Sequence, residues 1–119
     1  MKRILIVDND ETILEALAIR LEDQGHECVH ARTGNEAIER FESETIDLII
    51  TDLNMPGCDG IALAESVRES STVPIIIMTA FPTTYEGSWD HLQGVMALTK
   101  PFAWNTMLHL VESELRMAS

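Results

Sequence analysis

Short unbroken apolar runs alternate along this chain with longer stretches whose apolar residues recur at helical spacing. That alternation confines it to a small set of folds. The runs are residues 4–7, 28–31, 48–50, 75–78 and, more weakly, 95–98. Between them, Leu14, Leu17, Ala18 and Leu21 follow i, i+3, i+4, i+7 and predict a first helix that ends before Gly25. Thr33-Gly-Asn-Glu36 has the form of a capping box, opening a second helix that carries Ala37, Ile38 and Phe41. Ile61, Ala64 and Val67 mark a third helix starting after Gly60, and Leu108, Val111 and Leu115 mark the last one. A fourth falls loosely within 82–93, where no clean stripe is present. Strands alternating with helices in this way predict repeated βα units around a parallel sheet.

Composition narrows the function. At 119 residues the chain fits one domain spanning 1–119, and 45% hydrophobic residues supply a core. Eight Lys+Arg against 20 Asp+Glu give a net charge of −12, which argues against direct binding to nucleic acid or an anionic membrane surface. The four-residue apolar run at 4–7 is too short for a signal peptide or a membrane span. Cys28 and Cys58 form no CxxC or Cys/His zinc pattern, so free thiols in a reducing cytoplasm are expected. No linker, repeat or output domain is evident.

In a doubly wound sheet the ligand crevice lies beyond the carboxyl ends of the strands. The polar residues just after the apolar runs are Asp8, Asn9 and Asp10, then Asp52 and Asn54, then Thr79, then Lys100. Clustered carboxylates need a neutralising cation, and an all-oxygen set suits hydrated Mg²⁺. With the metal and Lys100 beside it, the Asp52 carboxylate is placed to attack a phosphoryl group as a nucleophile, and the Thr79 hydroxyl to donate to a phosphoryl oxygen.

The segments ILIVDND at 4–10, LIITDLNMPGCDG at 48–60, PIIIMTA at 74–80 and LTKPF at 98–102 stand in an order and spacing that resembles the receiver domain of two-component response regulators, essentially end to end. The resemblance implies a flavodoxin-like (βα)₅ three-layer sandwich with parallel strands in the order 2-1-3-4-5. By the same resemblance Asp52 is the phosphoacceptor, Lys100 the phosphoryl clamp and Thr79 the switch hydroxyl. Asp8, Asn9, Asp52 and the backbone carbonyl of Asn54 would hold Mg²⁺, and Lys100–Pro101 matches a cis peptide. The implied donor is a sensor histidine kinase, a phosphotransfer protein or a small acyl phosphate. The implied reader is a downstream protein, an output domain or a second copy, through a surface built from the predicted fourth helix, fifth strand and fifth helix. Such a domain assists its own phosphorylation but is not an enzyme in the ordinary sense.

Two positions depart from the family pattern. Asn9 stands where a second acidic residue is usual, which predicts weaker metal binding. Ala97 stands where an aromatic usually couples to the switch hydroxyl, leaving coupling through Thr79 and the loop of the predicted fourth helix alone, or through a neighbouring aromatic such as Tyr85 or Trp89. Phe81 is expected to obstruct water and slow loss of the phosphoryl group. The alternative is a pseudo-receiver, a docking module not switched by phosphorylation. A phosphatase that forms an aspartyl phosphate would need a D-x-D pattern after its first strand, whereas here Asp52 follows the third and the residue two later is Asn54. No phosphate-binding loop follows the first strand, which argues against a flavin site.

Other features have plainer readings. Asp10 is expected to cap the first helix. His26, Cys28 and His30 alternate along the second strand, more simply as strand residues than as metal ligands. Glu36, Glu39 and Glu42 form a solvated face, and the methionines read as adaptable filler more than as a binding stripe, with Met55 part of the loop motif and Met78 in a buried strand. Whether Trp104 and Met107 pack or face a partner stays open in the sequence.

Overall fold

The computed structural model describes residues 2–80 and 89–118. Five parallel strands, β1 (Arg3–Val7), β2 (Glu27–Ala31), β3 (Leu48–Asp52), β4 (Ile75–Thr79) and β5 (Val95–Thr99), form one sheet in the order β2-β1-β3-β4-β5. Among the described residues four helices connect or follow them: α1 (Glu11–Asp23), α2 (Gly34–Ser43), α3 (Gly60–Arg68) and α4 (Trp104–Ala118). Every apolar run read from the sequence is a strand. The expected helix at 82–93 falls partly outside the described residues, and 89–94 form turns. The helix marked by Leu108, Val111 and Leu115 is therefore α4 here.

Successive strand residues point to opposite faces, so each strand feeds two cores. Leu5, Val7, Val29, Ile49, Ile75 and Ile77 pack with α2 and α3 through Ala37, Leu63, Ala64 and Val67. Ile4, Ile6, Leu48, Ile50, Ile76 and Met78 pack on the other side with Leu14, Leu17 and Leu21 of α1 and Met107, Val111 and Leu115 of α4. Each fully buried Leu, Ile or Val contributes about 1.5–3 kcal/mol relative to exposure. The three central strands are apolar on both faces because helices cover both, which is why they read as continuous runs. The edge strand β5 exposes Met96 and Ala97 and reads more weakly.

Helix starts are set by polar caps. The Asp10 carboxylate accepts from the Thr12 N–H at 2.9 Å, and Asp59 caps α3 by accepting from the Ala62 N–H at 2.8 Å. Helix α3 thus includes Gly60 instead of starting after it. At α2 only half of the expected capping box forms. The Thr33 hydroxyl accepts from the Glu36 N–H at 3.0 Å, but the Glu36 carboxylate accepts from the Arg32 N–H at 2.7 Å. His26 precedes β2 and is not part of a strand ladder, and its Nε2 lies 2.6 Å from Glu112 of α4. Trp104 is half-buried under the Arg20 guanidinium, 4.0 Å from its ring centre, and meets Phe102 edge-on, while Met107 is fully buried. No described helix is long and apolar enough to cross a membrane.

Candidate functional site: the carboxyl ends of the strands

Strand order reverses between β1 and β3, so the crevice beyond their carboxyl ends is where this fold places a ligand. Asp8 is the first residue after β1, and Asp52 and Thr79 are the last residues of β3 and β4. All three are buried, Asp8 and Thr79 at 1% exposure and Asp52 at 8%. They are the strand-end residues that interrupt the apolar pattern, and such polar groups persist in a core only with partners.

Lys100, immediately after β5, supplies the partner. Its Nζ donates to Asp8 Oδ2 at 3.3 Å and to Asp52 Oδ1 at 3.2 Å. The Lys100 N–H donates to the Thr79 carbonyl at 2.8 Å, and the Lys100–Pro101 peptide is cis, as the LTKPF segment implied. Asp8 is held in turn: its N–H donates to the Ala31 carbonyl at 3.1 Å, and its Oδ1 accepts from the Asp10 N–H at 2.9 Å. The structure thus brings Asp8, Asp52 and Lys100 into direct contact, with Thr79 tied to Lys100 through the backbone. Asn9 and Asn54 lie exposed on the loops after β1 and β3, at the same rim.

The electrostatics follow from burial. Asp52 has its carboxyl raised above the usual carboxylate range, first by burial and then by the Asp8 charge, which together outweigh Lys100. A more basic carboxylate is a better nucleophile. Burial acts to lower the Lys100 ammonium, but Asp8 and Asp52 outweigh it, so its pKa is raised and the side chain keeps its charge. Two carboxylates against one ammonium leave one net negative charge.

That donor set, two carboxylates with neutral amide and carbonyl oxygens nearby, fits a hard divalent cation such as Mg²⁺. Among the described residues no group of three or more His, Cys, Asp and Glu side chains is placed to hold a metal. Asn9 brings an amide oxygen and no formal charge to this rim. Among the described residues the histidines flanking Cys28 belong to no such metal-holding group. Burial pushes the Cys28 thiol up to about 12 and raises that of Cys58, so neither is a ready nucleophile.

The sequence did not single out the backbone packing behind Asp52. The Thr51 hydroxyl donates to the Asp52 carbonyl at 2.9 Å, and a Cβ on Gly60 would lie 2.7 Å from that same oxygen. Gly60 is therefore required where α3 starts against the strand end. Phe81 and Tyr85 lie outside the described residues. Trp89 packs against the core on the α2 and α3 side, and Ala97 is exposed on β5.

The sequence pattern of the family described as the response regulator receiver domain matches residues 4–112. Protein PilH of Pseudomonas aeruginosa is 32% identical over 97% of this chain and 98% of its own length. The transcriptional regulatory protein YrkP of Bacillus subtilis is 35% identical over 96% of this chain. The chain spans about half the length of YrkP, 49%, and 43% of the similar regulator PhoP. Among solved structures, a two-component response regulator from Clostridium difficile superposes with a TM-score of 0.90 at 29% identity, covering all of both chains. The response regulator TrrA of Thermotoga maritima, solved with Mg²⁺ and BeF, superposes with a TM-score of 0.86 at 32% identity, covering 95% of this chain and 98% of its own.

Proposed function

Because the chain belongs to the response regulator receiver domain family, we propose that Asp52 accepts a phosphoryl group in a Mg²⁺-dependent reaction and that the phosphorylated domain signals to a protein partner. The contact that carries this reading is the Lys100 ammonium bridging Asp8 and Asp52. It holds the acceptor carboxylate in place while leaving it basic.

In the reaction an Asp52 carboxylate oxygen attacks phosphorus. The bond from phosphorus to the donor breaks, to nitrogen in a phosphohistidine of a sensor kinase or phosphotransfer protein, or to oxygen in a small acyl phosphate. The leaving group keeps the electron pair: the imidazole nitrogen then takes a proton from solvent, and the carboxylate of an acyl phosphate departs as the anion. Lys100 stays protonated and offsets the charge of the incoming group, and the Thr79 hydroxyl donates to a phosphoryl oxygen. Asp8, Asp52, the Asn9 side-chain oxygen and the Asn54 carbonyl would hold Mg²⁺, which would supply further charge neutralisation and alignment. A relative of this size was solved with Mg²⁺ and BeF, which supports Mg²⁺ as the ion. The domain is thus an acceptor that assists one transfer, not a turnover catalyst.

The partner surface extends from β5 to α4, where Met96, Ala97, Leu98, His109 and Leu110 line a groove of about 780 Å³. Ala97 has no rotamer with which to report on Thr79, so the signal passes through the Thr79 backbone bond to Lys100 and the strand ends. Incubation with Mg²⁺ and acetyl phosphate tests this: the intact mass gains one phosphoryl group, and Asp52→Asn gains none. No transfer even at high Mg²⁺ favours the docking-module reading that Asn9 and Ala97 suggest.

A further inference from the structure

We propose that Gly34, the first residue of α2, is a positioning residue for the Mg²⁺ pocket: it fixes how far the loop carrying Asn54 stands from Asp8. This rests on the phosphoacceptor reading above. A Cβ on Gly34 would lie 2.3 Å from the Cys58 carbonyl oxygen, 2.6 Å from its Sγ and 2.7 Å from its Cβ. Carbon makes ordinary contact at about 3.5 Å, so a methyl group there drives the loop back by about 1 Å. The nearest atom is backbone, so no side-chain rotation relieves the clash.

The loop has little room to absorb that shift elsewhere. At its start the Leu53 N–H donates to the Met78 carbonyl at 2.9 Å, and at its end the Gly60 N–H donates to the Leu53 carbonyl at 3.0 Å. Met55 is buried in the core between these points. Displacement of Cys58 is therefore shared over the short span 54–59 between those two bonds, which includes Asn54 and the core side chain of Met55. The same turn grips the other side of the pocket, since the Ala31 carbonyl accepts the Asp8 N–H at 3.1 Å. Residues 31–34 thus touch both the backbone that ends in Asp8 and the loop that ends at Cys58. The bare face of Gly34 sets the spacing between them.

The test is calorimetric Mg²⁺ titration of the full chain as wild type, Gly34→Ala, Gly25→Ala, Cys58→Gly and Gly34→Ala/Cys58→Gly. Gly25 is the control for lost stability alone. It has φ +94° and nothing within 4 Å of a built Cβ, and it precedes β2 at the end of the sheet away from the site. Gly34→Ala should weaken Mg²⁺ binding roughly tenfold, the scale seen when groups supporting metal ligands are disturbed, and Gly25→Ala should stay within about twofold of wild type while its Tm falls. Removing two of the three close contacts should let the double variant recover part of the loss. If Gly34→Ala does not fold, the double variant should still bind several-fold more weakly than Cys58→Gly. The proposal is overturned by Gly34→Ala binding as wild type does, by Gly25→Ala losing as much affinity, or by the double variant matching Cys58→Gly when Gly34→Ala cannot be measured. A wild-type chain that binds no Mg²⁺ overturns the phosphoacceptor reading and this inference together.

Discussion

Asp52→Asn should make the metal-free protein more stable at neutral pH while abolishing its phosphorylation. Lys100 Nζ lies 3.2 Å from Asp52 Oδ1 and 3.3 Å from Asp8 Oδ2, so those carboxylate oxygens are no further apart than the two distances laid end to end, about 6.5 Å. At an effective dielectric of about 20 the two carboxylates repel by at least about 2.5 kcal/mol, and Lys100 attracts Asp52 by about 5 kcal/mol. Taking a carboxylate out of water costs several kcal/mol more. The raised Asp52 pKa shows which side wins: burial and Asp8 exceed Lys100. Asn removes the buried charge and keeps an oxygen for the Lys100 N–H. The expected gain is about 1 kcal/mol, or roughly 4 °C in Tm for a domain of this size.

The pH dependence has a definite sign. Because the folded-state pKa lies above the unfolded value, ionised Asp52 lowers stability at pH above the folded value. That penalty is relieved as pH falls through the folded pKa and is gone below the unfolded one. The advantage of Asn at pH 7 therefore shrinks to nothing near pH 3.5. Mg²⁺ reverses the order, since ligand at about 100 times its Kd stabilises wild type by about 2.7 kcal/mol and the variant lacks a charged ligand. Thermal unfolding followed by circular dichroism, with EDTA and with Mg²⁺ at both pH values, reads all three effects. A variant less stable than wild type at pH 7 without metal, or equally advantaged at both pH values, refutes the electrostatic reasoning.

Lys100→Met should destabilise by about 3 kcal/mol at pH 7, since it strands two buried carboxylates, and the deficit should narrow on acidification, as denaturant titration at two pH values would show. The raised Lys100 pKa also predicts that its contribution persists up to its unfolded value near 10.5 and is lost only as pH rises through the folded value. Asn9→Asp restores a third charge and should tighten Mg²⁺ binding on the order of tenfold by calorimetry; unchanged affinity would remove Asn9 from the ligand set. Arg68→Ala loses bonds to the carbonyls of Gln93, Ser71 and Gly94 at 2.6, 3.2 and 3.2 Å. It should cost about 1–2 kcal/mol and speed hydrogen exchange at Ile75, whose N–H donates to the Gly94 carbonyl.

The central strands were legible because burial on both faces leaves uninterrupted apolar runs, and the polar residue that ends each run marked the site. Asp8, Asp52, Thr79 and Lys100 converge as their positions implied. What the sequence left open depended on contacts between distant segments. His26 resembled a strand residue by alternation, yet its partner Glu112 lies on α4. Glu36 has the capping-box position, but its carboxylate reaches one residue further back than the pattern prescribes. Trp104 is placed by Arg20 of α1, and Arg68 reaches carbonyls 25 and 26 residues away. Gly34 and Gly60 carry no side-chain signal at all. Their roles exist only in how closely another backbone approaches.

Borohydride trapping measures the central claim most directly. Hydride cleaves an acyl phosphate and reduces the aspartate side chain to an alcohol, so the phosphorylated residue becomes homoserine. After incubation with Mg²⁺ and acetyl phosphate, peptide mass mapping should find homoserine at position 52 and an unaltered Asp8. Homoserine at another aspartate, or at none despite saturating Mg²⁺, would contradict the assignment of Asp52 as the phosphoacceptor.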